Sequence, residues 1–171
     1  MSAILLGYRG CGKTTIGRKL ADRMWARFID TDEMVVRSAG KSIREIFQQH
    51  GEPYFRELET QAIREALKLA DHIIALGGGA VLSEQNRLML KQSGLKRIYL
   101  RCEPQVLLER IRSDPQTAAN RPNLTGLGGG IEEIQTLLAQ REPLYREVAT
   151  AELDVTNLSV EDAVVYITRL I

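Results

Sequence analysis

The chain has few cysteines, no excess of either charge and no long apolar run, and each absence removes a class of function. Only Cys11 and Cys102 occur, far apart and in no C-x-x-C spacing, so neither a disulfide framework nor a structural zinc site is expected. Lysine and arginine number 23 against 22 acidic residues, a formal charge of +1 over 171 residues. That balance speaks against a general nucleic-acid binder while leaving room for a local basic pocket. No window reaches 18 apolar residues, so no membrane span is expected. The short apolar run ending at Gly7 is followed at once by glycines and charge, unlike a signal peptide, and the cytoplasm is the expected compartment. Repeats and low-complexity tracts are missing as well. What is present is ordinary: 44% hydrophobic and 26% charged residues, enough to build a core and too apolar for disorder. The length suggests one domain.

Short apolar runs alternate with longer helical patterns from end to end. Strands are expected at Ala3–Leu6, at Phe28-Ile29 ending on Asp30, at His72–Leu76, at Arg97–Leu100 and, more weakly, at Ala151–Val155. Helical spacing covers Lys13–Arg27, Ile43–Gln49, Tyr54–Ala70, Ser83–Gln92, Pro104–Arg112 and Ile131–Arg146. A closing helix carries Val160, Ala163, Val164, Ile167 and Leu170 as a core-facing stripe. This alternation implies an α/β fold, a mainly parallel sheet with helices on both faces and right-handed crossovers. Residues 113–130 break the rhythm with two prolines and four glycines, a loop long enough to suggest a lid within the domain.

Gly7-Tyr8-Arg9-Gly10-Cys11-Gly12-Lys13-Thr14 satisfies G-x-x-x-x-G-K-[ST] and sits between an expected strand and an expected helix. Backbone N–H groups around Gly10, Cys11 and Gly12 can turn inward about phosphate oxygens, helped by the positive end of the helix dipole. Lys13 suits the β/γ-phosphates, the Thr14 hydroxyl a Mg²⁺ ion, and Thr15 the α-phosphate. Chance alone assembles the four fixed positions in under about 1% of chains this long. The D-x-x-G and N-K-x-D elements of guanine-specific switch proteins do not occur, which favours ATP and transfer to a small molecule. Cys11 reads as a small spacer in the loop; His50, His72, Trp25 and Cys102 read as structural.

Asp30 and Asp32 close the second strand, where ligands of parallel sheets gather. One carboxylate can complete a Mg²⁺ shell and the other can take an acceptor's proton; capping a helix that begins near Glu33 is a compatible role. Arg56 either pairs with Glu52 or Glu59 on an exposed helix face or reaches a ligand. Gly77-Gly78-Gly79 after a buried strand marks a tight turn or the close approach of a ligand. Arg121 in the expected lid is either solvated or able to swing over the phosphates, and Arg141 near a helix end is either solvated or placed to grip an anionic acceptor.

In order along the chain, the phosphate loop with Ile16-Gly17-Arg18, Phe28-Ile29-Asp30-Thr31-Asp32, Phe55-Arg56-Glu57-Leu58-Glu59, the triple glycine, Arg121-Pro122 and Arg141-Glu142-Pro143-Leu144-Tyr145 resemble shikimate kinase. The wording of the phosphate loop and of residues 121–126 is most similar to the second of two enterobacterial isoenzyme types. The resemblance implies a five-stranded parallel sheet of the nucleoside-monophosphate-kinase type, with a substrate-binding region at about residues 31–60 and a lid at about 113–130. It implies ATP-dependent phosphorylation of the 3-hydroxyl of shikimate, on the route to chorismate and the aromatic amino acids, by a monomer that binds neither nucleic acid nor membrane. It further implies that Asp32 binds the shikimate hydroxyls and acts as base, that Arg56 and Arg141 grip the carboxylate, and that Gly77, Gly78 and Gly79 support the ring. Thr14 and Asp30 would neighbour Mg²⁺, Arg121 would reach the nucleotide phosphates, and Arg112 would lie against adenine. Gly128-Gly129-Gly130 falls outside the family pattern. The competing enzyme reading is a gluconate-type sugar-acid kinase; a non-catalytic nucleotide-binding regulator is the reading from another class.

Overall fold

The computed structural model describes residues 2–114 and 130–171. Ala3-Ile4-Leu5-Leu6 forms β1, and its four side chains are all buried. A strand apolar on both faces needs neighbours on both edges and layers above and below. It has them: β3 (His72–Ala75) and β4 (Lys96–Arg101) flank it, with β2 (Arg27–Asp30) beyond β3 and β5 (Ala151–Asp154) beyond β4. The order is β2-β3-β1-β4-β5, and every pairing is parallel. The strand period of two divides β1 between two cores. Ala3 and Leu5 join the cluster under α1 (Lys13–Arg23), α5 (Pro104–Ser113) and α7 (Val160–Thr168). Ile4 and Leu6 join the opposite cluster under α4 (Glu84–Gln92) and α6 (Ile131–Val148).

Two further helices follow β2 in the chain and pack on each other. In α2 (Thr31–Ala39) the Asp30 side chain caps the N-terminus by accepting the Asp32 N–H. In α3 (Ile43–Ala66) Ser42 and Glu45 form a reciprocal capping box. A small cluster of Val35, Ile43, Ile46, Phe55 and Ala62 joins the pair.

Several expectations change in detail. The periodicity expected to run to Arg27 stops at Arg23, because Arg27 is already paired with His72 in the sheet. The intervening Trp25 is not a core residue: it adopts φ 54° and is 97% exposed. The two helical segments expected at 43–49 and 54–70 are present and meet at a kink, where Gly51 leaves helical geometry (φ 80°), but the second ends at Ala66. The cap expected ahead of Glu33 is present and falls to Asp30, so that α2 begins at Thr31. The closing stripe is core as expected, with Ala163, Val164 and Ile167 buried. His72 and Cys102 are buried, whereas His50 is exposed and lies against the Tyr54 ring. Among the described residues no helix is long and apolar enough to cross a membrane.

Candidate active site

The loop from Gly7 to Thr14 joins β1 to α1 at the carboxyl edge of the sheet. Gly10 and Gly12 hold φ of 82° and 96°, left-handed values that side chains rarely tolerate. At Gly10 there is also no room, since a Cβ would stand 2.9 Å from the Ile111 side chain of α5. The Lys13 ammonium turns back over its own loop, donating to the carbonyls of Gly7 at 2.7 Å and Tyr8 at 2.9 Å. The Thr14 hydroxyl donates to Asp30 Oδ2 at 3.0 Å, and Asp30 Oδ1 accepts the Asp32 N–H at 2.9 Å. Asp30 therefore ties the head of α1 to the head of α2. The Thr14 and Asp30 oxygens beside a phosphate cradle fit a Mg²⁺ ion, which takes few protein ligands and keeps water and phosphate oxygens for the rest.

On the acceptor side the glycine run is explained by what presses on it. A Cβ at Gly77 would lie 2.5 Å from Asp32 Oδ1, and one at Gly79 would lie 2.5 Å from an Arg56 nitrogen. The Gly77 N–H donates to Thr31 Oγ1 at 3.0 Å. The Gly78 carbonyl accepts from the Tyr145 hydroxyl and from Arg141 Nη1, the latter at 3.3 Å. The pairing expected of Arg56 is present, although not on an exposed face, since Glu59 is buried. Arg56 pairs with Glu52 at 2.9 Å and Glu59 at 2.8 Å, and it also lines a cleft of about 480 Å³ together with Asp32, Glu59, Gly78, Gly79 and Arg141. Burial pushes the Glu59 carboxyl above its ordinary range, although Arg56 pulls the other way. Arg141 is buried over the Tyr8 ring at 5.7 Å and, among the described residues, makes no ion pair.

A second cavity of about 1120 Å³ follows the phosphate loop from Gly10 through Thr15 and extends past Asp30 to Arg110 and Leu158. The two cavities share Arg9 and Asp32. Of the expected residues, Gly10, Cys11, Gly12, Lys13, Thr14, Thr15 and Asp30 lie along the larger cavity, and Arg56, Gly78, Gly79 and Arg141 along the smaller. Gly77 supports Asp32 from behind. Arg112 does not join them: it is exposed, and Arg110 is the arginine of α5 that lines the larger cavity, held by the Val155 carbonyl at 3.1 Å. Two positions along a helix is more than half a turn, so both cannot face one cavity. Arg121 and residues 115–129 of the expected lid lie outside the described residues.

Sequence reasoning missed Arg9, Glu59, Arg110 and Tyr145. For Tyr145 the signal was available, because it stands four residues after Arg141 on one helix face. Glu59 was noticed only as a surface partner, and its burial depends on how α3 packs.

Residues 9–171, nearly the whole chain, match the family model for shikimate kinase. The chain belongs to the shikimate kinase family. Among curated shikimate kinases, one named shikimate kinase 2 from Yersinia enterocolitica is 45% identical over 153 residues, 90% of this chain and 86% of that protein. The shikimate kinase of Rhodopirellula baltica is 40% identical over 158 residues, 92% of this chain and 83% of its own. A solved shikimate kinase from Acinetobacter baumannii, in complex with shikimate, superposes with a TM-score of 0.90 at 34% identity, covering 99% of this chain and 91% of that one. A gluconokinase from Sinorhizobium meliloti is far less similar, at 22% identity and a TM-score of 0.60, and shares the fold alone. The parallel five-stranded sheet and the phosphate loop are those of shikimate kinases, and the chain is an ATP-dependent phosphotransferase.

Proposed function

We propose that the chain transfers the γ-phosphoryl group of ATP to the 3-hydroxyl of shikimate, giving shikimate 3-phosphate and ADP on the route to chorismate. The observation that carries this reading is the meeting of two cavities at Arg9 and Asp32, one built on a phosphate loop and the other on buried guanidinium groups. ATP lies along the larger cavity with its phosphates on the loop amides, and its base lies toward Arg110 and Leu158. Thr14 and Asp30 would hold Mg²⁺, which when bound would supply charge neutralisation for the phosphates. Arg141, buried and without a described carboxylate partner, receives the shikimate carboxylate, and Arg56 assists from the orientation that Glu52 and Glu59 impose. A bidentate guanidinium–carboxylate contact of this kind is both strong and directional.

Asp32 sits at the junction and accepts the proton of the 3-hydroxyl as the oxygen attacks phosphorus. One P–O bond forms to the acceptor and the bond to the ADP oxygen breaks. Lys13 lies on the loop beside the β- and γ-phosphates, where the bond from phosphorus to the departing ADP oxygen breaks. Phosphoryl transfer asks for little beyond this positioning and charge compensation. The 31–60 region is the acceptor-binding part of a single domain, working as a monomer.

The test is ADP release from ATP and Mg²⁺ with shikimate and, in parallel, with gluconate. Stimulation by shikimate alone is the expected result. Turnover with gluconate but not shikimate would replace the acceptor, and nucleotide binding without turnover on either would remove the enzyme reading.

A further inference from the structure

We infer that Arg9 binds the phosphoryl group as it arrives on the acceptor and thereafter holds the phosphate ester of the product; the inference rests on the acceptor reading proposed above. Arg9 occupies one of the four loop positions that the phosphate-binding pattern leaves free. It is only 8% exposed, and with Asp32 it is one of two described residues that line both cavities. A phosphoryl group moving from the loop to a hydroxyl at Asp32 must pass this wall. It arrives beside a carboxylate, so a dianionic ester there needs a cation of its own.

Among the described residues the other cations of the site are less well placed for that ester. Lys13 is bound to the Gly7 and Tyr8 carbonyls on the loop side. Arg56 already carries Glu52 and Glu59. Arg141 and Arg9 both lie against the Tyr8 ring, at 5.7 and 6.0 Å from its centroid, yet only Arg9 reaches the nucleotide cavity. Two guanidinium groups that share one aromatic ring suit a compact ring acid that carries a carboxylate and a new phosphate. Arg9 has capacity to spare, because its Nε is buried and, among the described residues, has no hydrogen-bond partner. Its ion pair with the fully buried Glu133 of α6 spans 3.3 Å, long for a charge-assisted contact, and fixes the guanidinium without exhausting it.

Calorimetric titration with shikimate and with shikimate 3-phosphate separates this role from a structural one. The double variant Arg9→Gln/Glu133→Gln removes both charges, so no buried carboxylate is stranded. It is expected to bind shikimate 3-phosphate about tenfold or more weakly, while shikimate binding changes by less than about threefold. Its kcat is expected to fall with the affinity for product. Arg9→Lys, which keeps the charge but loses the planar fork, is expected to weaken product binding selectively and by less. Glu133→Gln alone keeps Arg9 charged and is expected to bind product at least as tightly as the wild type. The inference is overturned if the double variant or Arg9→Lys binds product normally, or if shikimate and product affinities fall together. It is equally overturned if Glu133→Gln reproduces the loss, for Arg9 would then be a strut. Absence of shikimate turnover by the wild type would overturn the acceptor reading, and this inference with it. Full wild-type turnover with no selective effect at Arg9 would overturn this inference alone.

Discussion

Gly77→Ala adds one methyl group at the most crowded point of the acceptor cleft. That carbon would stand 2.5 Å from Asp32 Oδ1 and 2.9 Å from Glu59 Oε1, where ordinary contact begins near 3.4 Å. It therefore sits roughly 1 Å inside the range of favourable contact, and something must move. The Gly77 backbone is held by its N–H bond to Thr31, and the preceding Leu76 N–H is bound to Leu5 of β1. Glu59 is 1% exposed and fastened to Arg56. The Asp32 side chain, in the first turn of α2, is what gives way. Overpacking of this size costs about 1–3 kcal/mol of stability, which lowers Tm by a few degrees in a domain of this length. The loss of function is larger than the loss of stability, since displacing a reacting group by about 1 Å costs on the order of 100-fold in rate. Shikimate-dependent ADP release should show kcat down by about that factor, with the KM for ATP nearly unchanged. An alanine variant with wild-type kcat and wild-type shikimate KM would refute the reasoning, because the methyl would then have found room that the structure denies it.

Arg141→Ala should raise the shikimate KM by roughly 10- to 100-fold through loss of a charged contact to the carboxylate and leave the ATP KM close to its starting value; steady-state kinetics in each substrate checks both. Trp25→Gly should raise Tm by about 2–4 °C, because a nearly fully exposed residue in the left-handed region (φ 54°) gives up about 1 kcal/mol of strain; a thermal melt with no gain would show that the indole has a partner. Glu59 has its pKa raised in the folded state by burial, so the native protein holds that proton more tightly than the unfolded chain. Its contribution to stability is complete below about pH 4.3 and is lost as pH rises through the folded-state pKa. Urea unfolding from pH 4 upward should therefore show a decline in stability that Glu59→Gln flattens, and identical slopes in the two proteins would contradict it.

The phosphate loop was legible because its chemistry is contiguous: the glycines, Lys13 and Thr14 act within eight residues between one strand and one helix. Asp30 and Asp32 were legible for a related reason, standing at a strand end that a parallel sheet turns toward ligands. Arg56 was ambiguous in sequence because its two fates, pairing with Glu52 and Glu59 or facing a cleft, use the same residues. Helix α2 was legible only at its capping carboxylates, and that Arg110 faces the larger cavity in place of the expected Arg112 needed the rotation of α5 about its axis.

By itself the sequence determined the alternation of strands and helices, the phosphate cradle and the residue types an anionic acceptor requires. Those follow from local rules, in which periodicity decides the element and glycine decides the turn. Only the tertiary structure decided the strand order β2-β3-β1-β4-β5, the pairing of Arg9 with Glu133 across 124 positions, and the burial of Glu59 against Asp32 and Gly77. It also decided that both cavities end on the same two residues. Such contacts join segments far apart in the chain, and their geometry is set by how helices pack on the sheet, which no local pattern encodes.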